Sequence, residues 1–411
     1  MAKLPTGVEI RSGSLCIWFM YRGERCREIL TGWLNTPANI KKAGNLRTII
    51  VSEINLGEFD YTRRFPNSVR AKRNSTSKIS TFGELVSTWL KNREIELAAN
   101  TLRKTSSQLN TLVHIIGDMT PIADISQNDI LGYRNQLLHG ETHYQVMARS
   151  NKKGRTVRTV DNYISLLCSL LRFAYRSNFI SGRPFEGIKK LQKSRPRPDP
   201  LLQHEFTQLI ESLSGQSKNL WQLAVYTGLR HGELLALAWE DIDLDAGVIH
   251  VSRNLTTLGD FGPPKTLAGI RTVTLLKPAL EALRSQIRIT GNQRQNEIVY
   301  HHREYGLTET QHLRFVFLPR LRKGEQKISY SFSSIGQLWN AAVKRSGIRR
   351  RNPYHTRHTY ACWLLSAGAN PSFIANQMGH ENAQMVYEIY GKWIEDMNED
   401  QVGMLNRKLA L

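Results

Sequence analysis

No run of 18 or more apolar residues occurs in this 411-residue chain, and its start, MAKLPTGVEI, lacks the apolar stretch of a secretion signal. Both absences predict a soluble, cytoplasmic protein with no membrane partner. Cysteine is scarce too: Cys16, Cys26, Cys168 and Cys362 are scattered, with no CxxC pair and no histidines at zinc-ligand spacing. That excludes a disulfide framework, so the four are expected as small buried hydrophobes in a reducing compartment, and no metal is expected. There is no glycine-rich loop of the GxxxxGKS type, so nothing asks for a nucleotide and no cofactor is expected. The last deficit is acidic. Asp and Glu number 35 against 56 Lys and Arg, a net charge of +21, which asks for a polyanionic partner.

Hydrophobic residues make up 40% of the chain, enough for globular folding at a length that suits two or three domains. The pattern predicts a mostly α fold with small β elements (α+β). Residues 1–62 read as a module of their own: strands at 15–21 and 26–30 around the turn Arg22-Gly23, then a helix from the N-cap Thr36 and Pro37 to about residue 54. Arg22, Arg25 and Arg27 make it basic and are candidate DNA contacts. Residues 63–80 read as a basic linker, with Arg63, Arg64, Arg70, Lys72 and Arg73 followed by Asn and Ser. Helical periodicity at 82–96, 101–116, 126–138 and 160–176 makes residues 81–182 a compact helical domain. Its third connection carries Lys152, Lys153 and Arg155, further candidate DNA contacts. Residues 183–200 hold four prolines and six basic residues and read as a hinge. A last domain, 201–411, is mainly helical and ends in a tail that could pack on its own chain or on a neighbour.

Chemistry-bearing residues gather in that last domain. TGLRHGE, residues 227–233, supplies Arg230 and Glu233 three apart at a helix start; further on come Arg357, His380 after Gly379, and Tyr390. Two arginines, a histidine and a tyrosine suit attack on a phosphodiester. Negative charge builds on the non-bridging oxygens, and guanidinium forks match those oxygens bidentately. A phenol is mostly neutral at pH 7 and needs cationic neighbours or a base to become a nucleophile. Tyr387 is a rival to Tyr390 for that part. His355 and His358 stand three apart, yet no third ligand lies near in sequence. Strands at 248–254 and 270–275 flank a glycine- and proline-rich turn, a hairpin with Lys265 near its tip.

Four segments, TGLRHGELLAL, PPKTLAGIRTVTL, PYHTRHTYACWLLSAGAN and QMGHENAQMVYEIYGKW, resemble the tyrosine recombinases, or phage integrases, in the order that family has them. The resemblance implies a bacterial or prophage site-specific recombinase that cuts each strand through a 3′-phosphotyrosine. It makes Tyr390, followed by Gly391, the nucleophile, Arg230 and Arg357 the phosphate clamp, Lys265 the acid for the departing 5′ oxygen, and His380 a group that orients or deprotonates. One departure stands out: the family's His-x-x-Arg motif reads Tyr354-His355-Thr356-Arg357 here, which leaves open whether Tyr354 or His355 assists. The helical domain resembles a SAM-like core-binding domain, and GVEIRSGSLCIWFMYRGERCRE with GEFDYTRRFP resembles an arm-site DNA-binding domain. The implied partners are double-stranded DNA with core-type and arm-type sites, a homotetramer on synapsed DNA, an excisionase and a host DNA-bending protein; the implied setting is the nucleoid of a bacterial host. Two other readings stay open: a type IB topoisomerase, and a non-catalytic DNA-binding regulator derived from an integrase.

Overall fold

The computed structural model describes residues 4–21, 23–68, 70, 79–140, 153–193, 198–320, 327–395, 403 and 406. Arg22, Lys152, the middle of each expected linker and most of the C-terminal tail lie outside the described residues. The chain divides into two compact units, Met1–Trp89 with Leu109–Lys190, and Leu90–Gln108 with Leu191–Leu411.

The first unit opens with an antiparallel sheet of β1 (Val8–Arg11), β2 (Ser14–Tyr21) and β3 (Glu24–Ile29). Alternation along β2 buries Leu15, Ile17 and Phe19 and turns Trp18 and Met20 to the other face. Helix α1 (Pro37–Leu56) starts at Thr36, whose Oγ1 accepts the Asn39 N–H at 3.3 Å, and it contributes Ala43 and Ile50 to the core. The strands, the Thr36 cap and the helix thus follow the sequence pattern, with β1 as an addition.

The linker expected at 63–80 does not start there. Helix α2 (Tyr61–Arg64) and the residues after it are held on the module: Phe19, Phe59, Tyr61 and Phe65 form one aromatic cluster with centroids 5.5–6.0 Å apart. The buried Glu28 accepts hydrogen bonds from Tyr61 and, at 2.7 Å, from Ser68, while Arg70 pairs with Glu24 at 2.9 Å. A basic composition concealed this packing because the aromatic residues do the work.

Four helices follow, α3 (Phe82–Arg93), α4 (Ala99–Ile116), α5 (Gln127–His139) and α6 (Val157–Arg176). Val160, Ile164, Leu167 and Leu171 form the apolar stripe of α6. Ser126 and Asp129 cap α5 reciprocally. The hinge expected at 183–200 is also shorter than its composition suggests. Phe185 is buried, Gln127 donates to the Glu186 carbonyl, and Arg134 donates to the Lys189 carbonyl at 3.0 Å. At its far end Asp199 accepts from Arg349 and Arg351.

In the second unit, α7 (Gln203–Glu211), α8 (Gly215–Thr227) and the short α9 (His231–Leu235) lead into small sheets. One has the order β4 (Ile242–Asp243), β5 (Val248–Val251), β8 (Arg271–Thr274). The other joins β6 (Asn254–Leu255), β7 (Phe261–Gly262), β9 (Asn296–His301) and β10 (Thr308–Leu313). The expected hairpin is therefore β5 paired with β8, and β6–β7 is an excursion between them. Helices α10 (Lys277–Thr290), α11 (Phe332–Ser346), α12 (His355–Ser366), α13 (Pro371–Met378) and α14 (Gln384–Glu395) complete the unit. Its core is anchored by Trp221 on α8 against Trp339 on α11, edge to face at 4.7 Å. All four cysteines are buried and unpaired. Among the described residues no helix is long and apolar enough to cross a membrane.

Candidate active site

Arg230 sits at the N-cap of α9, and the chain reaches it through Gly228 in the left-handed region at φ +61°. A side chain there would put its Cβ 2.5 Å from Cδ1 of Tyr360, so glycine is required twice over. Arg230 donates to Glu233 Oε1 at 2.8 Å and to the Gly379 carbonyl at 3.0 Å, and part of its fork stays open to solvent.

Glu233 is nearly inaccessible and shared. Its second oxygen accepts from Arg271 at 2.9 Å as well as from the Arg230 backbone N–H. Burial alone would raise its pKa, but the guanidinium of Arg271 and that of Arg230 outweigh it and hold the carboxyl below its ordinary value. Arg271 is locked further by bonds to the carbonyls of Gln377 at 2.7 Å and Gly269 at 2.9 Å. Sequence reasoning missed this arginine as a site member although it stands inside the motif GIRTVTL.

Arg357, on the first turn of α12, is only 2% exposed and donates to the carbonyls of Gly228 at 2.6 Å and Met378 at 2.7 Å. Burial, and then the neighbouring Arg230, lower its pKa to about 10, which still leaves it charged at neutral pH. Those backbone bonds tie together the Gly228 turn and the end of α13, the two places where Arg230 and His380 are presented. His380 follows Gly379, a left-handed C-cap at φ +66°. His380 is buried, and its Nδ1 has no hydrogen-bond partner among the described residues. Burial and then Arg357, Arg230 and Arg271 push its pKa down to about 4, so the ring is neutral at pH 7.

Tyr390 is 1% exposed on α14, with Oη 2.8 Å from Nδ1 of His358. Burial raises its pKa. Its rival Tyr387 is 54% exposed. His358 is the second residue that sequence reasoning did not place in the site. The only signal was its position directly after Arg357.

The two supporting candidates at the motif departure separate. His355 turns away, its Nδ1 donating to the Asp199 carbonyl at 2.7 Å, and so fastens α12 to the segment before α7. Tyr354 stays near the site, its ring 5.4 Å from that of His358 and 6.1 Å from that of His231. Lys265 is exposed in the connection between β7 and β8 rather than at a tip. The stretch after it passes close to the site, since a Cβ on Gly379 would lie 2.9 Å from the Ala268 carbonyl oxygen. Arg303 fastens that connection at the Pro264 carbonyl, 2.6 Å.

Of the candidate DNA contacts, Arg25 and Arg27 are exposed on the face of β3 opposite the core, and the Arg25 guanidinium lies 3.9 Å over the Trp18 ring. Lys153 is exposed, and Arg155 lies 5.2 Å from the ring of Tyr163.

A buried arginine, a partly open one, a buried neutral histidine and an enclosed tyrosine come together on a mainly helical domain, a set of groups suited to strand transfer at a phosphodiester. Residues 200–393 match the model of the phage integrase family, and residues 5–69 match that of an arm DNA-binding domain. The chain is 67% identical to the prophage integrase IntR of Escherichia coli strain K12, over the whole of both chains. It is 42% identical to the putative defective protein IntQ of the same strain, over 90% of this chain and 94% of that one. The fold is similar to that of the Tn1549 transposon integrase in complex with a circular intermediate DNA (TM-score 0.61, 20% identity, 79% of this chain and 99% of that one). It is also similar to that of lambda integrase bound as a dimer to a core site (TM-score 0.54, 16% identity, 96% of each). The chain belongs to the phage integrase family. It is a tyrosine site-specific recombinase, and its substrate is DNA.

Proposed function

We propose that this recombinase integrates a mobile element by cutting each core-site strand with Tyr390, forming a 3′-phosphotyrosine and passing the free 5′ hydroxyl to a second duplex. The observation that carries the reading is the convergence of Arg230, Arg357 and His380 through backbone bonds around Gly228, Met378 and Gly379, with Tyr390 enclosed on the neighbouring helix. Arg230 and Arg357 stabilise the charge on the pentacoordinate phosphorus. Glu233 and Arg271 keep Arg230 in place, and His380 orients a non-bridging oxygen. Lys265 protonates the departing 5′ oxygen, because an alkoxide is a poor leaving group. Tyr354 keeps a supporting role near the phosphate.

The module up to residue 70 reads arm-type sites, with Arg25 and Arg27 as contacts; Lys153 and Arg155 face the core site. Strand exchange between two duplexes calls for four protomers, and an excisionase and a host DNA-bending protein complete the cycle in the nucleoid of a bacterial host. The test is a nicked suicide duplex carrying a core site selected by binding from a randomised pool. Wild type traps a covalent band on a denaturing gel, Tyr390→Phe binds the duplex and forms none, and Tyr387→Phe keeps most of it. Adduct lost with Tyr387→Phe and kept with Tyr390→Phe contradicts the assignment.

A further inference from the structure

The hydroxyl that must lose a proton is bonded to His358 and not to His380. The two groups sit on helices α12 and α14, so regular secondary structure on both sides holds Nδ1 and Oη 2.8 Å apart. Three residues before Arg357, where a histidine is expected from the family pattern, stands Tyr354, a phenol and hence a poor proton acceptor. His355 Nδ1 donates to the Asp199 carbonyl, and the ring bonded to Tyr390 Oη is that of His358. We propose that His358 is the general base of this chain, its Nδ1 accepting the phenolic proton of Tyr390 as Oη attacks phosphorus. The inference rests on the reading of Tyr390 as the nucleophile.

The step balances without a further reactant. The Oη–P bond forms, the P–O5′ bond breaks, the phenolic proton moves to Nδ1 to give an imidazolium, and Lys265 gives its proton to the 5′ oxygen. On religation the imidazolium returns the proton to the departing phenolate while neutral Lys265 takes that of the attacking 5′ hydroxyl. The resting state suits this exchange. Burial first, then His355 and Arg357, lower the His358 pKa to about 4, so Nδ1 is free to accept at neutral pH. Burial makes Tyr390 a weaker acid than a free phenol, so it does not ionise unaided. Negative charge gathering on the phosphorane then raises the proton affinity of the adjacent ring. The titratable and charged groups facing His358 are Tyr354 at the N-cap of its helix, His355 and Arg357 on that helix, Tyr390 on α14, and His380 from the turn after α13.

The experiment uses the full chain in single-turnover cleavage of the suicide duplex, with the bridging 5′ oxygen replaced by sulfur so that Lys265 is not needed. Wild type should show a rate nearly independent of pH between about 6.5 and 9, because the base is already unprotonated. His358→Gln still offers an acceptor to the hydroxyl but cannot take its proton. Its rate should fall by about 10²-fold or more at pH 7 and climb about tenfold per pH unit. His358→Ala should recover with added imidazole. A Gln variant with the wild-type rate and a flat profile overturns the role of His358. Loss of duplex binding by the Gln variant passes the decision to the Ala variant, where rescue by imidazole supports the base and no rescue overturns it. No adduct from wild type contradicts the proposed function itself, whereas a wild-type adduct with an unchanged Gln variant removes only His358.

Discussion

The arginines of the two ends of this protein are held in opposite ways. In the recombinase site Arg357 is buried and Arg271 nearly so, and their donors go to backbone carbonyls and to one shared carboxylate, Glu233. On the arm module Arg25 and Arg27 lie exposed on the sheet face, loosely paired with Glu9 at 3.0 and 3.6 Å, and Arg25 rests on Trp18. A fixed, desolvated guanidinium stabilises charge that appears only in the transition state and needs no reorganisation when it does. A solvated one attracts phosphates that are already charged, and salt screens that attraction. On the proposed assignments, the same residue type serves rate at one end and affinity at the other.

If that division holds, the largest effect belongs to the acid. Lys265→Ala should slow cleavage of ordinary DNA by about 10²- to 10⁴-fold and regain most of the rate on a substrate with a bridging 5′ sulfur, since a thiolate leaves without a proton. Equal loss on both substrates would move Lys265 from proton donor to charge stabiliser. Arg357→Lys comes next, with a loss of about 10²- to 10³-fold in single-turnover rate and little change in duplex affinity. A variant weakened in affinity but not in rate would erase the contrast with the arm.

The arm itself should answer in the opposite sense. Arg25→Ala with Arg27→Ala should leave core-site cleavage intact while lowering the slope of log affinity against log salt on arm-site DNA by about 0.9 for each contact removed. The smallest effect concerns stability. Glu233 has a depressed pKa in the folded state, so its contribution is present above the unfolded carboxyl value of about 4.3 and is lost as pH falls through the folded value. The gap in melting temperature between wild type and Glu233→Gln should accordingly narrow as pH drops below that value; a gap that widens would reverse the sign of the argument.

Local rules carried the sequence reading far where the signal was local. The Thr36 cap, the β2 alternation and the helix starts follow from neighbours a few residues apart. They failed where contacts span the chain. Arg271 reaches Glu233 across 38 residues and His358 reaches Tyr390 across 32, and no spacing rule announces either. The start of the first linker is hidden for a related reason: its arginines are conspicuous in composition, while Tyr61 and Phe65 decide the packing by joining Phe19 and Phe59. The departure at Tyr354 lies in the sequence itself, but the proposal that His358 answers it depends on the packing of α12 against α14.

The most direct test of the buried cradle as the seat of chemistry is to locate the covalent bond. The trapped adduct on the suicide duplex, digested with protease and nuclease and sequenced by mass spectrometry, should carry its nucleotide on Tyr390, the enclosed tyrosine bonded to His358. A nucleotide found on the exposed Tyr387 would contradict the account.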